Sequence, residues 1–295
     1  MLTRQAVARM LFTVAVAIGV VSAHSPAIAA SAPESYVAMG DSFTAGPLIS
    51  NQLPDPPGCW RSDHNYPHLV AAALGATLRD RSCSGARTRD LQAPQAVLGG
   101  PNPPQLDALD AGVDVITVQI GGNDIGFAEI LARCFALLPL GSPCTDFYTS
   151  GGVDEISRRI AAAAPKVRAV LAEASQRSPQ ARVFVLGYPS ILPEVQPGCW
   201  PLLPIAPGDA PYLREKHKEL NVMLASEAAT AGATYVDVYT PSVGHDACEL
   251  PGVRWVEPAI PLSPAAPVHP NAVGMEGMAV AVRAAMATWA PESPA

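Results

Sequence analysis

An apolar run at residues 10–21 follows Arg4 and Arg9 and precedes Ala27-Ile28-Ala29. It falls short of the roughly 20 apolar residues that a helix needs to cross a bilayer. A positive start, a short apolar run and a small-x-small triplet predict a secretory leader over residues 1–29, cut before Ala30. A cut after Ala23 fits more loosely. Beyond the leader, strand-like and helix-like patterns alternate. Strands are predicted at residues 36–39, 76–79, 114–120, 182–187 and 234–238, of which the β-branched run 114–120 is the clearest. Helices are predicted at residues 66–74, 103–109, 125–137, 153–175, 211–229 and 272–289, with Pro165 expected to break or kink the fourth. Near-continuous apolar strands separated by helices imply a parallel sheet covered on both faces. The expected fold is α/β, a three-layer α/β/α sandwich forming one domain over residues 30–295.

Composition adds a location for function. Of the 31 prolines, 20 fall in residues 46–61, 93–104, 193–211 and 241–269, segments that mostly follow strands. In an open parallel sheet the carboxyl ends of the strands form the ligand crevice. Stiff loops are therefore expected around one rim. A hydrophobic share of 49% excludes a disordered chain. The formal charge is -7; without Arg4 and Arg9 the 19 basic residues become 17 against 26 acidic ones, which makes it -9. That balance, with lysines only at Lys166, Lys216 and Lys218, argues against a nucleic-acid partner. No stretch after the leader reaches membrane-spanning length without proline, glycine or charge. The six cysteines are Cys59, Cys83, Cys134, Cys144, Cys199 and Cys248, an even count that favours three disulfides in an exported chain. Their number alone chooses no pairing. A metal site is not expected. Cys-x-x-Cys is absent, His245 and Cys248 make an isolated pair, and Pro67 interrupts the spacing of His64 and His68. His217, within the charged run 214–218, reads as a solvated helix residue.

Four segments carry chemistry. The first strand runs into Gly40-Asp41-Ser42, which can present a serine hydroxyl at the rim. Amides that follow it can face an anion if a helix starts there. Cys83-Ser84-Gly85 after the second strand can supply a glycine amide. Gly121-Gly122-Asn123-Asp124 after the third pairs a sharp turn with a side-chain amide, although an ordinary turn capped by asparagine has the same sequence. His269-Pro270-Asn271 precedes the last helix, where Pro270 is expected to fix the helix start and so aim the imidazole. Each segment alone is a weak signal.

In this order the four segments resemble the blocks of the SGNH hydrolases, or GDSL esterase/lipase family, across positions 40–271. The leader, the six cysteines and the proline-rich loops look most like its secreted actinobacterial branch. The resemblance implies a flavodoxin-like sheet of order 2-1-3-4-5. It also suggests pairing Cys59 with Cys83, Cys134 with Cys144 and Cys199 with Cys248. It implies a secreted, monomeric serine hydrolase acting on small-molecule or lipid carboxylic esters through an acyl-enzyme, with no cofactor. Ser42 would be the nucleophile and His269 its base. The amides of Ser42 and Gly85 and the side chain of Asn123 would form the oxyanion hole. One position departs from the family pattern. Many members have aspartate three residues before the histidine, and here that residue is Ala266. Either the Ala266 carbonyl orients the imidazole, or Asp246, Glu249 or Glu257 folds back to do so. Two other functions fit the scaffold. One is a polysaccharide O-acetyl esterase using Trp60, Trp200, Trp255 or Trp289 for stacking, although the first three could instead line an acyl pocket. The other is an inactive envelope or binding protein.

Overall fold

The computed structural model describes residues 35–288. The predicted leader and Trp289 lie outside the described residues. In chain order the first elements are β1 (Ser35–Gly40), α1 (Ser42–Ala45), α2 (Tyr66–Leu74), β2 (Thr77–Asp80) and α3 (Thr88–Gln92). A hairpin of β3 (Gln95–Val97) and β4 (Gly100–Asn102) precedes β5 (Val115–Gln119). Then follow α4 (Phe127–Cys134), α5 (Pro143–Thr149), α6 (Glu155–Arg177), β6 (Arg182–Leu186), α7 (Ala210–Thr230), β7 (Thr234–Val236) and α8 (Ala272–Thr288).

The main sheet has the order β2-β1-β5-β6-β7, and its neighbouring strands are parallel. Counting only these strands, the order is 2-1-3-4-5. Successive side chains of a strand point to opposite faces, so each strand feeds two cores. Val37 and Met39 join Val118, Val167 and Leu220 in one cluster, with α6 and α7. Tyr36 and Ala38 join Tyr66, Val70, Met275 and Met278 in the other, with α2 and α8. Three layers follow from that alternation.

Several elements depart from the sequence pattern. Residues 93–104 contain the β3–β4 hairpin, which turns through Gly99 at φ 87° and Gly100 at φ 126°. The helix expected at 103–109 is a short 3-10 turn, Gln105–Ala108. The helix expected at 125–137 ends at Cys134. The unforeseen α5 is capped from a distance by buried Asp209, which accepts from the amides of Cys144 and Thr145 at 3.1 and 2.8 Å. Pro165 does not end α6, which continues to Arg177 with the proline on its exposed side. No helix among the described residues is long and apolar enough to cross a membrane.

The six cysteines pair as Cys59–Cys83, Cys134–Cys144 and Cys199–Cys248. Cys248 is thus bound to sulfur, and His245 Nδ1 lies 2.6 Å from the carbonyl of Val253.

Candidate active site

The site begins where β1 ends. A side chain at Gly40 would collide with Thr44 Oγ1 and the carbonyl of Gln119, so only glycine fits there. The Gln105 side chain pairs with both backbone groups of Gly40. Its Oε1 accepts from the amide at 2.8 Å, and its Nε2 donates to the carbonyl at 3.0 Å. Asp41 caps α1, its Oδ1 accepting from the amide of Phe43 at 2.9 Å. Ser42 is the first residue of that helix, so its N–H has no partner within the helix.

Ser42 Oγ lies 2.8 Å from Nε2 of the half-buried His269. His269 Nδ1 donates to the carbonyl of Pro267 at 2.7 Å. A carbonyl accepts only, so Nδ1 carries the proton and Nε2 is left to accept from the serine hydroxyl. The orienting group is therefore Pro267, not Ala266. The chain folds back at this point, and the Ala266 carbonyl is already taken by the main-chain N–H of His269 at 3.2 Å. Val268 between them is at φ 58°, a strained conformation for a buried β-branched residue.

The hydrogen bond of Nδ1 goes to Pro267 and not to Asp246, Glu249 or Glu257. Asp246 accepts from the amide of Cys248 at 2.9 Å. Glu257 is paired with Arg254 at 2.9 Å, with both side chains buried, and it also accepts from Asn271 Nδ2 at 2.7 Å. Glu257 braces the histidine loop through its backbone, donating to the His269 carbonyl at 3.0 Å and accepting from Val268 at 3.1 Å. Asn271, not Pro270, caps α8 by accepting from the amide of Gly274 at 3.0 Å. Burial pushes the His269 pKa below its ordinary 6.5, and the Pro267 carbonyl offsets part of that.

Asn123 and the turn around Gly85 are brought together. Asn123 Nδ2 donates to the carbonyl of Ala86 at 3.0 Å. An amide nitrogen has two N–H groups, so one can fix its orientation while the other faces a ligand. Gly85 lies at φ 78° in a turn closed by the Ala86 amide on the Cys83 carbonyl at 3.0 Å. Asp124 joins the same two segments, accepting from Thr88 N at 2.9 Å and Thr88 Oγ1 at 2.6 Å.

Tyr188 was not among the residues expected from sequence. Its hydroxyl donates to Asp41 Oδ2 at 2.6 Å and accepts from the amide of Gly122 at 2.9 Å. It thereby ties the serine segment to the Gly122-Asn123 turn. Burial raises the Asp41 pKa to about 7, against the opposing hydrogen bonds from Tyr188 and Phe43. The sequence signal was its place two residues past the end of β6, at the expected rim.

A cleft of about 820 Å³, its open mouth included, adjoins Ser42. Asp41, Ser42, Gly122, Asn123 and Tyr188 form its polar side, and its apolar wall includes Phe127, Ile130, Leu131, Ile156, Ile205 and Leu220. His217 is not a solvated helix residue. It lines this cleft half-buried, its Nε2 is 3.2 Å from the Tyr188 carbonyl, and burial pushes its pKa down to about 4. Lys216 also lines the cleft, while its ammonium binds Ser157, Glu219 and Asp154 at 2.6, 2.7 and 3.0 Å. No tryptophan lines the cleft among the described residues. Trp60 and Trp200 are partly exposed elsewhere, and buried Trp255 packs against Gly274 and Gly277 of α8.

The sequence pattern of the GDSL-like Lipase/Acylhydrolase family matches residues 38–276. The chain belongs to this family. It is 42% identical to Lipase 2 of Streptomyces coelicolor over 90% of both chains. Among solved structures, the extracellular lipase of Streptomyces rimosus shares 28% identity with a TM-score of 0.71, covering 85% of this chain and 99% of that one. The phospholipase A1 of Streptomyces albidoflavus shares 25% identity with a TM-score of 0.72, covering 86% and 99%. Within the family this chain is a carboxylic ester hydrolase of the lipase/esterase type.

Proposed function

We propose that the chain is a secreted serine ester hydrolase that works through an acyl-enzyme, with Ser42 as nucleophile and His269 as general base and then acid. The supporting observation is the 2.8 Å contact between Ser42 Oγ and His269 Nε2 at the head of an apolar cleft. Serine is a poor nucleophile unless an adjacent base takes its proton. The imidazole takes it as Oγ attacks the acyl carbonyl, then gives it to the departing alcohol. Water, deprotonated by the same nitrogen, releases the acid. Negative charge on the carbonyl oxygen would be met by the amides of Ser42 and Gly85 and by Asn123 Nδ2, each worth roughly 3 to 4 kcal/mol. The Pro267 carbonyl would hold the imidazolium without a full counter-charge.

The cleft wall favours an aliphatic acyl group over acetyl groups on a glycan, since no tryptophan platform adjoins Ser42 among the described residues. Three disulfides and the lipase relatives support export, with residues 1–29 as the leader. The test is hydrolysis of p-nitrophenyl octanoate by the purified chain, with organophosphonate labelling at Ser42. Absence of both, or full activity in Ser42→Ala, refutes the assignment. N-terminal sequencing of protein recovered from the medium should begin at Ala30.

A further inference from the structure

Residues 135–141, Phe-Ala-Leu-Leu-Pro-Leu-Gly, carry no charge. Leu137, Leu138 and Leu140 are 95%, 63% and 70% exposed. Single exposed apolar residues are ordinary, but a contiguous apolar patch marks a contact surface. The segment is also tied down. Cys134–Cys144 closes its ends. Phe135 pairs with Ile205 in an antiparallel bridge, and the Ala136 amide donates to the Pro204 carbonyl at 2.7 Å. The indole of Trp200, itself partly exposed, donates to the Ala136 carbonyl at 3.1 Å. The backbone of Phe135 and Ala136 is therefore bonded inward while the leucines that follow face solvent.

The segment continues the wall of the cleft. Phe127, Ile130 and Leu131 of α4 line the cleft, and so does Ile205. The Phe127 ring lies 6.1 Å from the His269 ring. An eight-residue helix is ~12 Å long, so one short helix separates the imidazole from the exposed leucines. Phe127, Ile130 and Leu131 lead along one side of α4 from the cleft toward Cys134 and the leucine segment, while Glu129 and Arg133 lie exposed on the same helix.

We propose that residues 135–141, with Trp200, dock the enzyme on the surface of aggregated, electrically neutral ester lipid. An acyl chain would then enter the cleft along α4 without crossing bulk water. The inference rests on the cleft being the acyl site. Continuity with that cleft selects a lipid partner, and the uncharged segment on an acidic chain selects a neutral surface over an anionic one.

The experiment is sedimentation of the full chain with dioleoylphosphatidylcholine vesicles. Two variants accompany the wild type: Leu137→Ser/Leu138→Ser/Leu140→Ser, and Val280→Ser. Val280 is 62% exposed on α8, in the layer across the sheet. The triple variant should partition about tenfold more weakly, and Val280→Ser should match the wild type. kcat/KM on monomeric p-nitrophenyl butyrate should stay unchanged in both, which shows that the variants fold. Equal partitioning of the triple variant, or no partitioning of the wild type, overturns the proposal. So does a lipid-free dimer that the triple variant dissociates without change in vesicle binding, because the patch then meets a second copy. Loop-dependent vesicle binding without ester hydrolysis would retain the docking surface and remove the hydrolase assignment.

Discussion

The His269 imidazole donates from Nδ1 to a neutral acceptor, the Pro267 carbonyl. A carboxylate there would hold the protonated form strongly, whereas a carbonyl opposes burial only in part. Protonated His269 cannot accept the serine proton, so the proposed reaction is lost as pH falls through its pKa. Because that pKa is lowered, the acid limb of kcat/KM should have its midpoint below 6.5. A midpoint above 6.5 would point to a carboxylate partner. Asp41 titrates in the opposite sense. Its folded pKa of about 7 lies above the ordinary 3.8, so its contribution to stability is complete below pH 3.8 and lost as pH rises through 7. Urea unfolding at pH 5 and pH 8 should show the wild type losing stability relative to Asp41→Asn at the higher pH. Equal differences at both values would mean that Asp41 is not raised. Tyr188→Phe leaves the Gly122 amide and an Asp41 oxygen without partners, and should cost about 2 kcal/mol in the same measurement. The meeting of Ser42 with His269 and of Asn123 with the Gly85 turn joins segments that were legible as short local motifs. The Tyr188–Asp41 contact was not legible, since it spans 147 residues. The spacing brought an orienting carbonyl close to the histidine but could not choose Pro267 over Ala266, because that depends on how the 266–269 turn folds back.

At the scale of elements, the parallel sheet was legible because its central strands β1, β5 and β6 are buried on both faces and read as near-continuous apolar runs. The β3–β4 hairpin was not, because Gly99-Gly100-Pro101 looks like loop and its strands are only three residues long. Pro165 misled for a related reason. A proline removes one helical hydrogen bond and crowds the preceding turn, yet on the exposed side of a 23-residue helix the packing of Val167, Val170 and Leu171 outweighs that loss. Pro165→Ala should therefore raise stability by about 1–2 kcal/mol, after allowing for a more flexible unfolded chain. An unchanged or lower melting temperature would mean that the helix depends on its proline. Asp124 couples two elements, since its carboxylate accepts from Thr88 at the start of α3 while its neighbour Asn123 reaches Ala86. Loosening that link should misplace two of the proposed oxyanion donors at once. Asp124→Ala should lower kcat on soluble esters by about tenfold to a hundredfold, with KM little altered. A loss confined to KM would assign Asp124 to substrate binding.

For the whole molecule, the disulfides decide how the rim loops are held. They close segments with sequence separations of 24, 10 and 49 residues. Chain entropy assigns each of them roughly 3 to 4 kcal/mol, too narrow a range for melting temperature to rank them. Position separates them better. Cys83 donates its amide to the Gly40 carbonyl at 3.0 Å, two residues from Ser42 in the chain, and is itself two residues from Gly85. The Ser84 amide donates to the Cys59 carbonyl at 3.0 Å. Cys59–Cys83 therefore fixes the Gly85 turn against the serine segment. Cys134–Cys144 lies at the far end of α4 from His269, beside the exposed leucine segment. Replacing either pair by serines should lower the melting temperature by a similar amount. Well below both transitions, Cys59→Ser/Cys83→Ser should lose kcat on a soluble ester, while Cys134→Ser/Cys144→Ser should keep it. Equal kcat values in the two variants would mean that the Gly85 turn holds its place without the bridge, and that the disulfides protect the fold but do not shape the site.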